Sequence, residues 1–210
     1  SFMVPYDGCS HMPEGCSWYM ADEFVDVSGW QATIGGYVEV NGREAVAAGA
    51  YYFTVYGLTL VDQYGNDVTD QYSVVYYETE CQVISTTLTV IPEPFDVMYN
   101  GSGHLPNSFT FSIYDGELPE GFTFTHVSYG EPLVNVCRNS WGDVIPYAVC
   151  VTEIRVVDGA GNDVTENFVL DLPSVDCYIR PASLTIRPYA FEEMYNGASH
   201  QPGGVWISHK

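Results

Sequence analysis

The stretch MYNGSGHLP, residues 98–106, returns as MYNGASHQP at 194–202 and as PYDGCSHMP at 5–13. Tyr99 and Tyr195 stand 96 residues apart, and Tyr6 and Tyr99 stand 93 apart. A tyrosine, an Asn-Gly pair and a histidine within nine positions resemble the opening of a reactive site, but their recurrence points to architecture. A fixed period of this kind is the signature of tandem modules. Shifting the sequence by 96 lays DQYGNDVTDQY (62–72) on DGAGNDVTENF (158–168) and Cys81 on Cys177. The same shift carries Leu88-Thr89 onto Leu184-Thr185 and Phe95 onto Phe191. We therefore expect a β-rich module at 1–91, a second at 92–187, and the opening of a third at 188–210, cut from a longer array.

Within each module the apolar period is close to two. SFTFSIY (108–114), FTFTHVSY (122–129), YAVCVTEIRVVD (147–158) and CYIRPASLTI (177–186) are rich in Val, Ile, Thr, Phe and Tyr. Turn formers separate them, including Tyr-Asp-Gly at 114–116 and Gly-Asn-Asp at 161–163. No stretch of ten residues carries an apolar stripe at helical spacing. The expected class is all-β, as tandem immunoglobulin-like β-sandwich modules. The alternative is a small β-grasp-like module, which the missing helix disfavours. No Cys…Trp…Cys signature of a true immunoglobulin domain is present.

Composition narrows the function. The chain of 210 residues carries 27 acidic side chains against 6 Lys and Arg, a net charge of −21. Such a surface repels polyphosphate, so nucleic-acid partners are excluded as a class. No apolar run is long enough to span a bilayer, so direct membrane insertion is not expected. Six cysteines, with no C-x-x-C pair and no zinc spacing, favour disulfides and an extracellular setting. Cys137 and Cys150 flank the turn around Trp141 and are the first candidates for a bridge, with Cys9 and Cys16 as the second. Cys81 and Cys177, at equivalent positions, are expected as buried free thiols.

The repeated motifs divide between chemistry and turn geometry. Tyr6-Asp7-Gly8, Tyr99-Asn100-Gly101 and Tyr195-Asn196-Gly197 are expected to form module-opening turns, since Asn-Gly and Asp-Gly tolerate positive φ. His11, His104 and His200 are then expected to pack against the tyrosine or bond a turn carbonyl, each too isolated to form a metal centre. The D-x-x-G-N-D-V-T segments carry oxygen ligands at Asp62, Asn66, Asp67 and Asp70, and again at Asp158, Asn162 and Asp163. They lack the glutamate that an EF-hand needs at its twelfth position. A weaker calcium site and a plain Asx turn are the two readings. No nucleophile elbow and no Cys–His pair is evident, so no catalytic residue, cofactor or enzymatic activity is expected.

The Y-[DN]-G turn, the late D-x-x-G-N-D-V-T-[DE]-[QN]-[YF] segment and the closing T-L-T-V or S-L-T-I strand together resemble the YDG/MBG-type repeats of bacterial surface proteins and adhesins. That resemblance covers both full modules and the start of the third. It implies tandem β modules on secreted or cell-surface proteins, whose partners are neighbouring repeats. The first expectation is thus a non-enzymatic structural spacer in an adhesin-like protein. The alternative is a module binding host glycan or extracellular protein through the loops at 14–50 and 107–146, where the copies differ most.

Overall fold

The computed structural model describes residues 1–21, 24–114 and 116–209. Asp22, Glu23, Asp115 and Lys210, which fall within the variable loops and third module named above, lie outside the described residues. The strands run in order β1 (Met3–Pro5), β2 (Gln31–Thr33), β3 (Gly36–Glu39), β4 (Gly49–Tyr56), β5 (Thr59–Val61), β6 (Thr79–Ile84), β7 (Thr86–Pro92) and β8 (Asp96–Met98). There follow β9 (Phe109–Ile113), β10 (Thr123–Ser128), β11 (Tyr147–Val149), β12 (Glu153–Val157), β13 (Phe168–Asp171), β14 (Val175–Arg180), β15 (Leu184–Pro188) and β16 (Val205–His209). Among the described residues there is no α-helix, and 3₁₀ turns occur at Thr69–Gln71 and Thr165–Asn167. The fold is all-β with several small sheets.

The strand pattern follows from side-chain alternation. In β7, TTLTVIP, Thr86, Leu88, Val90 and Pro92 are buried while the residues between them face outward. Each fully buried aliphatic side chain of this kind contributes roughly 1.5–3 kcal/mol relative to exposure. In β6 the buried pair is Cys81 and Val83, and in β14 it is Cys177 and Ile179. Both cysteines thus occupy apolar positions two residues before a buried aliphatic side chain, where a thiol acts as a small hydrophobe.

The chain divides into two compact units. Unit 1 comprises Ser1–Thr89, Phe111–Val127 and Ile154–Asp171; unit 2 comprises Val90–Thr110, Ser128–Glu153 and Leu172–Lys210. Unit 1 contains the four-stranded sheet β1-β6-β4-β3, in which β1 lies parallel to β6 with Met3 opposite Gln82. Strand β4 is antiparallel to β6, with Tyr51 opposite Cys81. Also in unit 1, β13 lies parallel to β7, from Phe168 opposite Thr86 to Asp171 opposite Thr89. On the other side of β7 runs β9, and the Tyr114 amide there donates to the Thr87 carbonyl at 2.9 Å. Two further pairs, β2–β5 and β10–β12, stand as separate ribbons.

In unit 2, β14 is flanked by β11 and β8. Tyr147 stands opposite Cys177 in antiparallel pairing, and Asp96 opposite Tyr178 in parallel pairing. The 96-residue shift carries Tyr51 opposite Cys81 onto Tyr147 opposite Cys177, so the repeat in letters is also a repeat in register. Strand β15 pairs antiparallel with β16, Leu184 opposite His209. Segments 111–127 and 154–171, which follow the Tyr99-Asn100-Gly101 turn in sequence, belong to unit 1. The compact unit and the sequence period are therefore offset from one another.

Candidate functional site

The strongest concentration of repeated polar residues is the Tyr-[Asn/Asp]-Gly-x-x-His turn, whose Asx hydrogen bonds recur three times. Asp7 Oδ1 accepts from the Cys9 amide at 2.8 Å and from His11 Nε2 at 2.9 Å. Asn100 Oδ1 accepts from the Ser102 amide at 2.8 Å and from His104 Nε2 at 3.1 Å. Asn196 Oδ1 accepts from the Ala198 amide at 2.9 Å and from His200 Nε2 at 3.0 Å. An amide oxygen accepts only, so Nε2 of His104 and of His200 donates, and His200 Nδ1 also meets Glu193 Oε2 at 2.7 Å. The glycine after each Asx residue has φ of 75°, 79° and 79°, in the region that favours glycine. Each ring also lies near the Phe four residues before the tyrosine, with centroids 5.8 Å apart for Phe2–His11, 6.1 Å for Phe95–His104 and 6.2 Å for Phe191–His200.

This geometry occupies the histidine. One ring nitrogen is committed to the Asx oxygen and one edge of the ring meets a phenylalanine. Burial alone would raise the Asp7 carboxyl, but the Cys9 amide and the His11 ring outweigh it and hold it below the usual range. The turn is not the hairpin that Asn-Gly commonly makes: β1 and β8, which precede the first two copies, pair parallel with β6 and β14. The Asx side chain takes the amide two residues on, which bends the chain away from its preceding strand instead of returning it alongside.

The D-x-x-G-N loops are equally closed. Asp62 Oδ1 accepts from the amides of Tyr64 and Asn66 at 2.8 and 2.9 Å, and Oδ2 accepts from Asn66 Nδ2 at 3.0 Å. Asp158 repeats this with Ala160 and Asn162 at 2.9 and 2.8 Å, and with Asn162 Nδ2 at 2.9 Å. The Asn side chain is the leading cause that holds both carboxyls below their usual range. Next door, Asp67 and Asp163 each accept from the amide and hydroxyl of the threonine two residues on, and that hydroxyl holds them low as well. The same threonine reaches across the fold: Thr69 Oγ1 accepts from the Leu60 amide at 2.7 Å, and Thr165 Oγ1 from the Val156 amide at 2.9 Å. Asp70 lies within the 3₁₀ turn and is exposed. Among the described residues, no group of three or more His, Cys, Asp or Glu side chains is placed to hold a metal ion.

Three polar features escaped the motif reading. Asn139–Asp143 forms the same loop with Asn and Asp exchanged: Asn139 Oδ1 accepts from the amides of Trp141 and Asp143, both at 2.9 Å. Its glycine, Gly142, has φ of 86°, as do Gly65 and Gly161 in the other two loops. The pattern [DN]-x-x-G-[DN] would have found it. Buried Glu39 accepts from the amides of Asn41 and Arg43 at 2.8 and 2.9 Å, and the Arg43 amide is the leading cause that pulls its carboxyl down to about 2. Buried Asn167 accepts from the Ala48 amide at 2.8 Å, and the ionisation of buried Tyr6 is pushed up by burial.

The cysteines are unbridged in this structure: Cys9 and Cys16 exposed, Cys137 and Cys150 half-buried, Cys81 and Cys177 buried. Around Trp141 the ladder sets Ile145 against Cys137, since the Ile145 amide donates to the Cys137 carbonyl at 3.1 Å. Cys150 follows β11 instead, so a Cys137–Cys150 bridge does not follow from ladder position. The five-residue Asx loop closes the hairpin tightly and shifts the facing residue. Trp141 at the tip of that loop is 87% exposed.

No family model, curated protein or solved structure matches this chain.

Proposed function

We propose that this chain is a non-enzymatic structural segment of a secreted or cell-surface bacterial adhesin-like protein, made of tandem immunoglobulin-like β modules. The observation that carries this reading is the repetition of one strand register, Tyr51 opposite Cys81 and Tyr147 opposite Cys177, together with three copies of one turn. Repeated polar residues saturated by their own loops stiffen a scaffold and leave no group poised to react. The acidic surface, −21 overall, keeps neighbouring copies soluble and apart. Among the described residues, no helix is long and apolar enough to cross a membrane.

The test is mechanical and binding data taken together. Single-molecule pulling of the chain is expected to give resolved unfolding events, and a glycan and extracellular-matrix screen is expected to give no saturable signal. A second reading, a binding module acting through the 14–50 and 107–146 loops, is favoured by one observation, the exposed indole of Trp141. Saturable binding that Trp141→Ala abolishes would replace the spacer reading with this one.

A further inference from the structure

Asparagine precedes glycine at Asn41-Gly42, Asn100-Gly101 and Asn196-Gly197, all of them exposed. The pair carries a chemistry of its own. The asparagine side-chain carbon is an electrophile, and the next amide nitrogen, unhindered by a Cβ, is a nucleophile one ring closure away. The saturated turns leave no group for an outside substrate, but in two of these pairs the same hydrogen bonds favour a reaction within the chain.

At Asn100 the side-chain oxygen takes the Ser102 amide at 2.8 Å and His104 Nε2 at 3.1 Å; at Asn196 it takes the Ala198 amide at 2.9 Å and His200 Nε2 at 3.0 Å. Two N–H donors on one carbonyl oxygen polarise it and stabilise the negative charge that collects there when a nucleophile adds, as an oxyanion hole does. The Gly101 and Gly197 amides donate to no acceptor among the described residues, and the space where a Cβ would stand on either glycine is open. Asn41 is built the opposite way. The Gly42 amide donates to the Glu39 carbonyl at 2.9 Å, and Asn41 Nδ2 donates to Glu39 Oε1 at 3.3 Å. There the nucleophile is committed, and the ionised Glu39 carboxylate opposes negative charge on its neighbour. The first turn shows the form such a reaction would leave. Asp7 stands where Asn100 and Asn196 stand and keeps the same bonds, from the Cys9 amide at 2.8 Å and His11 Nε2 at 2.9 Å.

We propose that Asn100 and Asn196 are self-modifying sites, converted in the folded chain to aspartate and isoaspartate by attack of the following glycine amide. The Gly101 nitrogen gives its proton to solvent and bonds to Asn100 Cγ. The Cγ–Nδ2 bond then breaks, and that nitrogen leaves as ammonia. The resulting succinimide ring takes up a water. Water addition at Cγ breaks the new Cγ–N bond and restores the ordinary main chain with an aspartate; addition at the Asn100 main-chain carbonyl carbon breaks the original peptide bond and leaves isoaspartate. The balance is one water in and one ammonia out, with no change of oxidation state and one added negative charge per turn. In the aspartate product the turn keeps its hydrogen bonds, as Asp7 does. This inference does not rest on the spacer reading, and unreactive turns would leave that reading standing.

Peptide mapping by mass spectrometry tests it, on the full chain held folded at neutral pH and sampled over time, by reading the replacement of NH₂ by OH at each asparagine. Asn100 and Asn196 are expected to convert, with Asn41 slower than both by roughly tenfold or more. His104→Ala, shown folded by circular dichroism, is expected to slow Asn100 roughly tenfold while Asn196 keeps its wild-type rate. That is less than the loss of about 10²–10³-fold for a donor in an enclosed enzyme site, because this turn is open to water. His200→Ala should do the reverse. In urea the three sites are expected to converge on one rate, and His104→Ala should match wild type there. Asn100 converting no faster than Asn41 in the folded chain, folded His104→Ala converting at the wild-type rate, or a preference among the sites that persists in urea would each overturn the proposal.

Discussion

Replacing Asn167 by alanine separates a position that holds unit 1 together from its sequence counterpart, Gln71, which is exposed. Asn167 is 5% exposed, and its side chain accepts from the Ala48 amide at 2.8 Å. Asn167→Ala leaves that amide without its acceptor. An orphaned polar group of this kind costs about 1–3 kcal/mol, and about 2 kcal/mol is expected here. Gln71→Ala removes an exposed side chain and should stay within about 0.5 kcal/mol of wild type. In urea, with m of about 2 kcal/mol/M, the Asn167 variant should lower the midpoint of the unit 1 transition by roughly 1 M with m unchanged. Equal costs for Asn167→Ala and Gln71→Ala would refute this reasoning.

Three further outcomes follow from the same geometry. Thr165→Val should destabilise by about 1–3 kcal/mol, since it leaves the amide of fully buried Val156 without an acceptor, whereas Thr165→Ser should be close to neutral; thermal denaturation of both variants checks this. Glu39, with an ordinary value of 4.5 lowered to about 2 on folding, contributes stability that is present above about 4.5 and lost as pH falls toward 2; Glu39→Gln should therefore flatten the acid limb of stability against pH, and an unchanged limb would contradict it. In reduced protein, a thiol reagent should modify exposed Cys9 and Cys16 in the native state and reach buried Cys81 and Cys177 only on unfolding, which peptide mapping of the labelled sites would show.

The sequence carried the β character and the repeat because both are local or periodic. Alternation in TTLTVIP announces β7, and the shift of 96 announces that Cys81 and Cys177 share one environment. The glycines at 8, 101 and 197 were legible as positive-φ positions because Asx-Gly is a local signal. Partner choice between distant strands was not legible. Strand β13 reaches back about 80 residues to lie parallel on β7, and nothing in FVLD names that partner over any other apolar edge. For the same reason the offset between sequence period and compact unit is invisible in the letters. The repeated histidine was expected against the tyrosine or a turn carbonyl, and it meets the Phe four residues before that tyrosine and the Asx side-chain oxygen instead. Glu39 and Asn139 were missed for a simpler reason: each satisfies amides in its own next few residues, and neither matched the motif letter for letter.

Native-state hydrogen exchange on the intact chain tests most directly the claim that the compact unit draws on both sequence periods. The amides of Ile154–Val157 and Phe168–Asp171 are expected to open together with those of β4 and β6, with one shared opening free energy and one shared response to Asn167→Ala. Grouping of those amides with β11 and β14 instead, and indifference to Asn167→Ala, would contradict the account.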